Sequence, residues 1–210
     1  MDIEEKFKAE FDLLKSEGRL TGDWSNLYKH CKLEGEIAII LSRLVNLNEV
    51  DSKILTKAAI LHDWYKRTEI EQSKGLNAVA YKNSENDSFD KLLKLGIQKR
   101  IVEVAHSVGA FSLEEIITSQ DLLKKIMHFI DDICLGDNVV EIDERIDYNE
   151  RKYPQINKDG RELFDGKTYF EMQRIVGKQI QSEIETTIKI EPNTLVSLIK
   201  KHWESLKKRN

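Results

Sequence analysis

The apolar residues of this chain recur mainly at every third or fourth position, which is the period of amphipathic helices. The strict alternation that marks a half-buried strand is rare, and only two prolines and ten glycines interrupt the pattern. We therefore predict an all-α fold in which every element that can be placed is helical. The expected helices span about residues 3–16, 25–46, 51–63, 85–95, 97–106, 121–135, 168–188 and 193–208.

Turn and capping residues set the boundaries of these helices. Asp51 or Ser52 is suited to cap the third helix, and Gly96 separates two short helices. Residues 67–84 are polar and include a glycine, so they predict a loop or a broken helix. Residues 139–153 form a mixed, charged segment, and the stretch between it and the late helices is loop-like.

The length of 210 residues suits one domain. We predict a helical core over about residues 25–150 and a C-terminal helical extension over 155–210, packed on or beside that core. The late helices could also pair two copies of the chain, so a homo-oligomer stays open.

Composition narrows the function classes. With 33 Lys and Arg against 37 Asp and Glu, the formal net charge is −4, which argues against a nucleic-acid partner but not against a local nucleotide pocket. The two cysteines, Cys31 and Cys134, predict no disulfide framework. No stretch approaches about 18 apolar residues and the acidic N-terminal segment is unlike a signal peptide, so we expect no membrane span and a reducing, cytoplasmic compartment.

The pair His62-Asp63 is the most informative chemical feature of the sequence. It ends the apolar run 58–61, where two adjacent ionisable side chains are costly unless something compensates them. A bound metal ion compensates both at once. Since two further residues are also set against apolar helical stripes, we predict one metal site drawn from three helices and formed by His30, His62, Asp63 and Asp131.

Each of these residues also has a plainer interpretation. His30 alone would more often be a surface or satisfied core histidine, His62 a helix-terminal residue beside an exposed Asp63, and Asp131 part of a solvated face. The combination is more specific than its parts, because two imidazoles with two carboxylates suit a divalent ion and leave positions open for water or substrate. The predicted cofactor is one divalent ion of Mn, Fe, Co, Ni, Zn or Mg.

The order of these residues resembles that of the HD superfamily of metal-dependent phosphohydrolases. His30 in YKHCKLEGEIA corresponds to the first histidine, and His62 and Asp63 in AAILHDWYK correspond to the doublet that names the family. Lys66 matches the lysine often found three residues after that doublet, and Asp131 in FIDDICLGDNVVEIDER matches the last ligand.

The resemblance covers about residues 25–150 and implies an HD-type helical bundle that binds a metal. Members with two metals carry further histidines, whereas this chain has Ser84 where one of them often lies and only His106 near the place of an adjacent pair. The resemblance therefore implies a single ion. His106 could contact a substrate phosphate or cap its own helix, and His128, which shares a helix face with Asp131, is interpreted as a core contact.

The predicted function is hydrolysis of a small phosphoester, with a nucleotide as the favoured substrate. Asp63 or Asp131 is expected to help orient the attacking water, and Lys66 to neutralise charge that grows on the phosphoryl group. Lys66 and His106 are the predicted substrate-binding residues. Two alternatives remain: a regulatory module that keeps its ligands and senses a nucleotide or partner without turnover, and a nuclease subunit, which the acidic charge and the single-metal ligand count disfavour.

Overall fold

Helices form almost all of the described structure, which confirms the all-α prediction. The computed structural model describes residues 2–21, 25–66, 78–109, 112–154, 157 and 164–208, with the side chains of 18–21 and 78–85 outside this description. The helices are α1 (Ile3–Lys6), α2 (Lys8–Thr21), α3 (Ser25–Leu44), α4 (Glu49–Leu61), α5 (Ala78–Lys94), α6 (Lys99–Ala105), α7 (Leu113–Thr118), α8 (Leu122–Asp132), α9 (Ile142–Lys152), α10 (Tyr169–Ile188) and α11 (Leu195–Lys207). The two strands are β1 (Cys134–Leu135) and β2 (Asn138–Val139).

Two boundaries near the N-terminus differ from the prediction for local reasons. The first predicted helix is broken at Phe7, whose backbone leaves helical geometry (φ −118°, ψ 39°) between α1 and α2. Asn48 caps α4 instead of Asp51 or Ser52, because its side-chain oxygen accepts a hydrogen bond from the Asp51 backbone N–H at 2.9 Å.

The second half of the predicted break over residues 67–84 is helical, since α5 begins at Ala78. Alanine favours helix, whereas the glycine that suggested a break lies within 67–77, outside the described residues. Most of the loop predicted before the late helices also lies outside the described residues. The late helices α10 and α11 agree with the predicted spans.

A small hairpin departs from the expectation that every element is helical. α8 ends at Asp132, and the chain then forms an antiparallel pair in which Cys134 lies opposite Val139. Gly136 takes a positive φ of 61° in the turn, a conformation that glycine adopts at little cost. Strands of two residues are too short to show alternation in the sequence. The hairpin turns the chain back, so that α9 packs against the end of α8.

Helix α3 lies at the centre of the packing that forms the site. It makes its most extensive contact with α4, and α8 packs against both. Gly35 permits the close approach, because a Cβ there would lie 2.9 Å from side-chain carbons of both Ile3 and Ile60. The His-bearing part of α3, the end of α4 and the end of α8 therefore meet at one place.

One apolar cluster extends from Ile3 on α1 to Trp203 on α11. The late helices contribute buried side chains to it, including Ile180 and Ile199, and burying each such side chain is worth roughly 1.5–3 kcal/mol. The C-terminal helices thus pack on the same core as the helices that carry the site. In the part of the chain that the structure describes, no helix is both long and apolar enough to cross a membrane.

Candidate metal centre

Four ionisable side chains converge where α3, α4 and α8 meet. One ligand atom from each lies within 4.8 Å of those of the others, and we call this group the His–carboxylate cluster: His30, Glu34, His62 and Asp131. Three of these residues are predicted from the sequence, whereas Glu34 is not. The group can hold a metal ion.

Helix α3 supplies two members of the cluster. His30 and Glu34 are four residues apart, so they share one face of the helix, and His30 Nε2 lies 3.0 Å from Glu34 Oε1. Asp131, near the end of α8, approaches from the other side, with its Oδ1 3.5 Å from His30 Nε2. His30 therefore lies between two carboxylates that come from different helices.

His62 is held in a defined orientation at the C-terminal cap of α4. Its Nδ1 lies 2.9 Å from the Ala59 carbonyl oxygen and 3.1 Å from Glu34 Oε2. A carbonyl oxygen can only accept, so Nδ1 carries a hydrogen, and Nε2 is the nitrogen that could bind a metal ion. This arrangement is the one usually found for a metal-binding histidine, whose second nitrogen donates to a carbonyl or carboxylate.

Several buried polar atoms of the cluster make no hydrogen bond. Within the described residues, these atoms are His30 Nδ1, His62 Nε2 and both carboxylate oxygens of Glu34. Buried polar atoms without a hydrogen bond cost about 1–3 kcal/mol each, and an ion or water commonly explains them. Two imidazoles with carboxylates are a donor set suited to divalent transition metals. The residues present therefore fit a metal ion.

Asp63 lies beside the four-residue group rather than within it. Its Oδ2 is 3.6 Å from His62 Nε2, and its Oδ1 is 3.3 Å from the Lys66 ammonium. Burial alone would raise the pKa of Asp63, but Lys66, His62 and His30 outweigh it and lower the pKa below the ordinary value. Asp63 is thus an ionised carboxylate next to the site, and its role as a ligand stays a prediction.

The two carboxylates around His30 control its protonation in the metal-free protein. Burial would lower the pKa of His30, but Glu34 and Asp131 outweigh it and raise the pKa to about 10. Burial raises the pKa of Glu34, against the opposing effect of the two histidines. Without a metal ion, the cluster therefore retains protons that an ion would have to displace.

Asp131 is stabilised as an anion by a residue that the sequence analysis did not single out. Burial would raise its pKa, but the Arg145 guanidinium and His30 hold the pKa well below the ordinary value. Arg145 Nη2 lies 3.2 Å from Asp131 Oδ1. The sequence alone gives only a weak signal for Arg145, because it does not show the hairpin that folds α9 back onto the end of α8.

Glu34 does leave a signal in the sequence. It lies four residues after His30 in a stretch where Cys31, Leu33 and Ile37 are all buried. An acidic residue on a buried face, one turn from a candidate ligand, is a candidate ligand itself. Lys32 and Glu36 in the same stretch obscure this pattern when the sequence is considered alone.

The other histidines considered as site residues, His106 and His128, lie outside the His–carboxylate cluster. His106 is the C-cap of α6, and its ring contacts Phe89 of α5 edge-on, with centroids 4.6 Å apart. His128 is buried and its Nδ1 donates to the Ser107 carbonyl oxygen at 3.0 Å. The substrate-binding role of His106 stays a prediction, and the side chain of Ser84 lies outside the described residues.

No family model, no curated protein and no solved structure matches this chain. Support for a function therefore comes from the geometry of the cluster and from the order of its residues along the chain.

Proposed function

We propose that the His–carboxylate cluster binds one divalent metal ion and that the protein is an HD-type phosphohydrolase. The observation that carries the proposal is the convergence of His30, His62 and Asp131 from three helices, with one ligand atom of each within 4.8 Å of the others. They are three of the four residues that the order H…HD…D selects from the sequence, and the fourth, Asp63, lies beside the group. A nucleotide or a related small phosphoester is the proposed substrate.

His30, Glu34, His62 and Asp131 would hold the ion. A divalent ion in such a site supplies a Lewis acid for a phosphate oxygen and acidifies a water molecule. Asp63, whose lowered pKa favours the carboxylate and which lies beside His62, would orient that water or accept its proton.

Lys66 is the proposed charge-neutralising residue. Its ammonium pairs with Asp63 Oδ1 at 3.3 Å, and its side chain remains 29% exposed. An ammonium on a flexible stem can keep this ion pair and still reach an incoming phosphoryl group. Lys66 would then offset the negative charge that grows during transfer to water.

A hydrolysis screen with measured metal content tests the proposal. The purified 210-residue chain is loaded with Mn, Co, Ni, Zn or Mg and offered a panel of nucleotides and bis(p-nitrophenyl) phosphate. We expect a single ion per chain and turnover of at least one substrate. Replacing Asp63 with Ala should reduce kcat/KM by about 100-fold or more and weaken metal retention.

The matched control is Asp137→Ala, which removes an exposed carboxylate from the turn of the hairpin. It should leave both metal content and turnover unchanged. If Asp63→Ala hydrolyses substrate at the wild-type rate, Asp63 has no part in the reaction and the proposed mechanism is wrong.

One observation favours a second candidate, a metal-binding regulatory module without turnover. With Glu34, the cluster offers four protein side chains, and structural metal sites are usually closed by four protein ligands whereas catalytic sites keep a position open. The same screen separates the two candidates. Full metal occupancy and a thermal transition that falls on chelation, with no turnover of any substrate, would favour the module.

A further inference from the structure

We propose that Arg145 is a positioning residue of the metal site, which fixes the direction from which Asp131 faces His30. The inference rests on the proposed metal site. It goes beyond the cluster because Arg145 contributes no ligand atom. Its evidence is a pair of contacts that join α9 to the end of α8.

Arg145 contacts Asp131 at two atoms. Its Nε donates to the Asp131 backbone carbonyl oxygen at 3.3 Å, and its Nη2 donates to Oδ1 at 3.2 Å. Asp131 is the penultimate residue of α8, and the backbone N–H of the C-cap residue Ile133 also points to its carbonyl oxygen. One guanidinium thus contacts both the backbone at the end of the helix and the carboxylate of the same residue.

The surroundings of Arg145 keep this arrangement rigid. Its side chain is only 15% exposed, and its Nη1 donates to Asn149 Oδ1 one turn further along α9. The carboxylate oxygen that it holds, Oδ1, is the oxygen that lies 3.5 Å from His30 Nε2. The torsion of the Asp131 side chain, and with it the position of a proposed ligand atom, is therefore set by Arg145.

A lysine cannot reproduce these contacts. An ammonium keeps the positive charge but lacks the planar fork that reaches a carbonyl and a carboxylate together. Residues that orient metal ligands typically change metal affinity by about 10–100-fold when they are replaced. The inference therefore predicts a loss of affinity in Arg145→Met and a smaller loss in Arg145→Lys.

Arg100 provides a matched control, because it contacts the N-terminal end of α8, the helix whose C-terminal end carries Asp131. It pairs with both carboxylate oxygens of Asp121, the N-cap of α8, at 2.6 and 2.8 Å. Arg100→Met therefore removes an Arg–Asp pair from α8 without touching the cluster. It should lower the stability of the protein but leave metal affinity unchanged.

The test uses the full chain, with Co²⁺ and Mn²⁺ alone as probes. Calorimetric titration should show about 10-fold or more weaker binding for Arg145→Met and about 3–10-fold weaker binding for Arg145→Lys. The visible absorption spectrum of the Co²⁺ form should change in Arg145→Lys but not in Arg100→Met. A loss of stability alone would not move that spectrum.

The outcomes are distinguishable. If the wild-type chain binds neither ion, the proposed metal site is wrong and the inference falls with it. If the wild type binds and Arg145→Lys binds with the same affinity and spectrum, only the positioning role is wrong. This second comparison holds even if Arg145→Met does not fold.

Discussion

Two adjacent residues, Asp131 and Asp132, belong to two different buried clusters. Asp131 is part of the His–carboxylate cluster, whose side chains come from three helices and include several atoms without hydrogen bonds. Asp132 belongs to a second group, the docking cluster, which it forms with His128 on α8 and Gln173 on α10. Neighbours in sequence, both set in an apolar helix, thus have different chemical surroundings.

The docking cluster joins α10 to α8. Gln173 Nε2 donates to Asp132 Oδ1 at 2.7 Å, and His128 Nε2 lies 3.6 Å from Asp132 Oδ2. Gly177 brings α10 close, because a Cβ there would lie 2.6 Å from Asp132 Oδ2. The docking cluster therefore attaches α10 to α8.

The comparison shows that a buried polar group does not by itself indicate a metal site. The docking cluster also contains unpartnered atoms, among them His128 Nε2 and Asp132 Oδ2. It nevertheless offers only one imidazole and one carboxylate, fewer than the three or four protein ligands of a typical metal site. What distinguishes the His–carboxylate cluster is the number of donors and their origin on separate elements.

The largest expected effect is a difference between two isosteric substitutions. Asp131→Asn should weaken Mn²⁺ binding by about 100-fold or more, because it replaces an anionic ligand by a neutral amide. Asp132→Asn should change it by less than about three-fold, since the amide oxygen can still accept from Gln173. Calorimetric titration of the two variants measures the difference. Equal losses would mean that the two clusters form one site.

The second expected effect is a loss of metal affinity in Glu34→Gln. The Glu34 carboxylate is fully buried without an aligned hydrogen bond. In Glu34→Gln the buried His30 loses one of its two carboxylate partners while the shape is kept, so the metal-free protein should lose about 1–3 kcal/mol of stability. Metal binding should weaken by about 10-fold or more, and the rise in Tm on adding Mn²⁺ should shrink. Thermal melts with and without metal measure both.

Glu36→Gln is the control for Glu34→Gln. Glu36 is on the same helix, and its carboxylate accepts a hydrogen bond from Trp203 Nε1 at 2.7 Å, away from the cluster. The metal-dependent rise in Tm should be the same as in the wild type. If Glu34→Gln also retains the full rise, Glu34 is not a ligand and the site is formed by the residues predicted from the sequence.

The sequence predicts most of the cluster because its evidence is local. His62-Asp63 ends an apolar run, and Asp131 interrupts the apolar stripe of α8, whose helical period is strong. Glu34 and Arg145 depend on information that is not local. Whether Glu34 faces the cluster is decided by the packing of α3 on α4, and Arg145 reaches Asp131 only because a hairpin of two-residue strands reverses the chain.

The fold could likewise be predicted where the evidence in the sequence is local, but not where it depends on packing or on a choice between similar caps. The spans of α3, α10 and α11 follow from long apolar stripes and could be predicted, whereas the start of α4 could not. There the Asn48 side chain competes successfully with Asp51 and Ser52 as the cap, and all three residue types favour that position. Similarly, Asp131 and Asp132 are the same residue type on one helix, so only the packing of α10 shows which of them attaches it.

The last expected effect is independent of metal binding: it is a pH dependence of stability that belongs to the docking cluster. Burial raises the pKa of Asp132 to about 6, although His128 opposes the shift. Because the folded protein then holds this proton more tightly than the unfolded chain, the contribution to stability is fully present below about pH 4 and is lost as the pH rises through 6. Asp132→Asn lacks the titrating group, so its stability relative to the wild type should increase between pH 4 and pH 7.

Urea unfolding of both proteins in the presence of a chelator, at pH 4, 5.5 and 7, measures this difference. A pKa shift of about two units corresponds to roughly 3 kcal/mol at the upper end of the range. The chelator removes any contribution of metal binding at Asp131, which would otherwise stabilise the wild type as the pH rises. A difference that stays constant or decreases with pH would show that Asp132 is ionised throughout, and that it attaches α10 as a carboxylate rather than as a protonated acid.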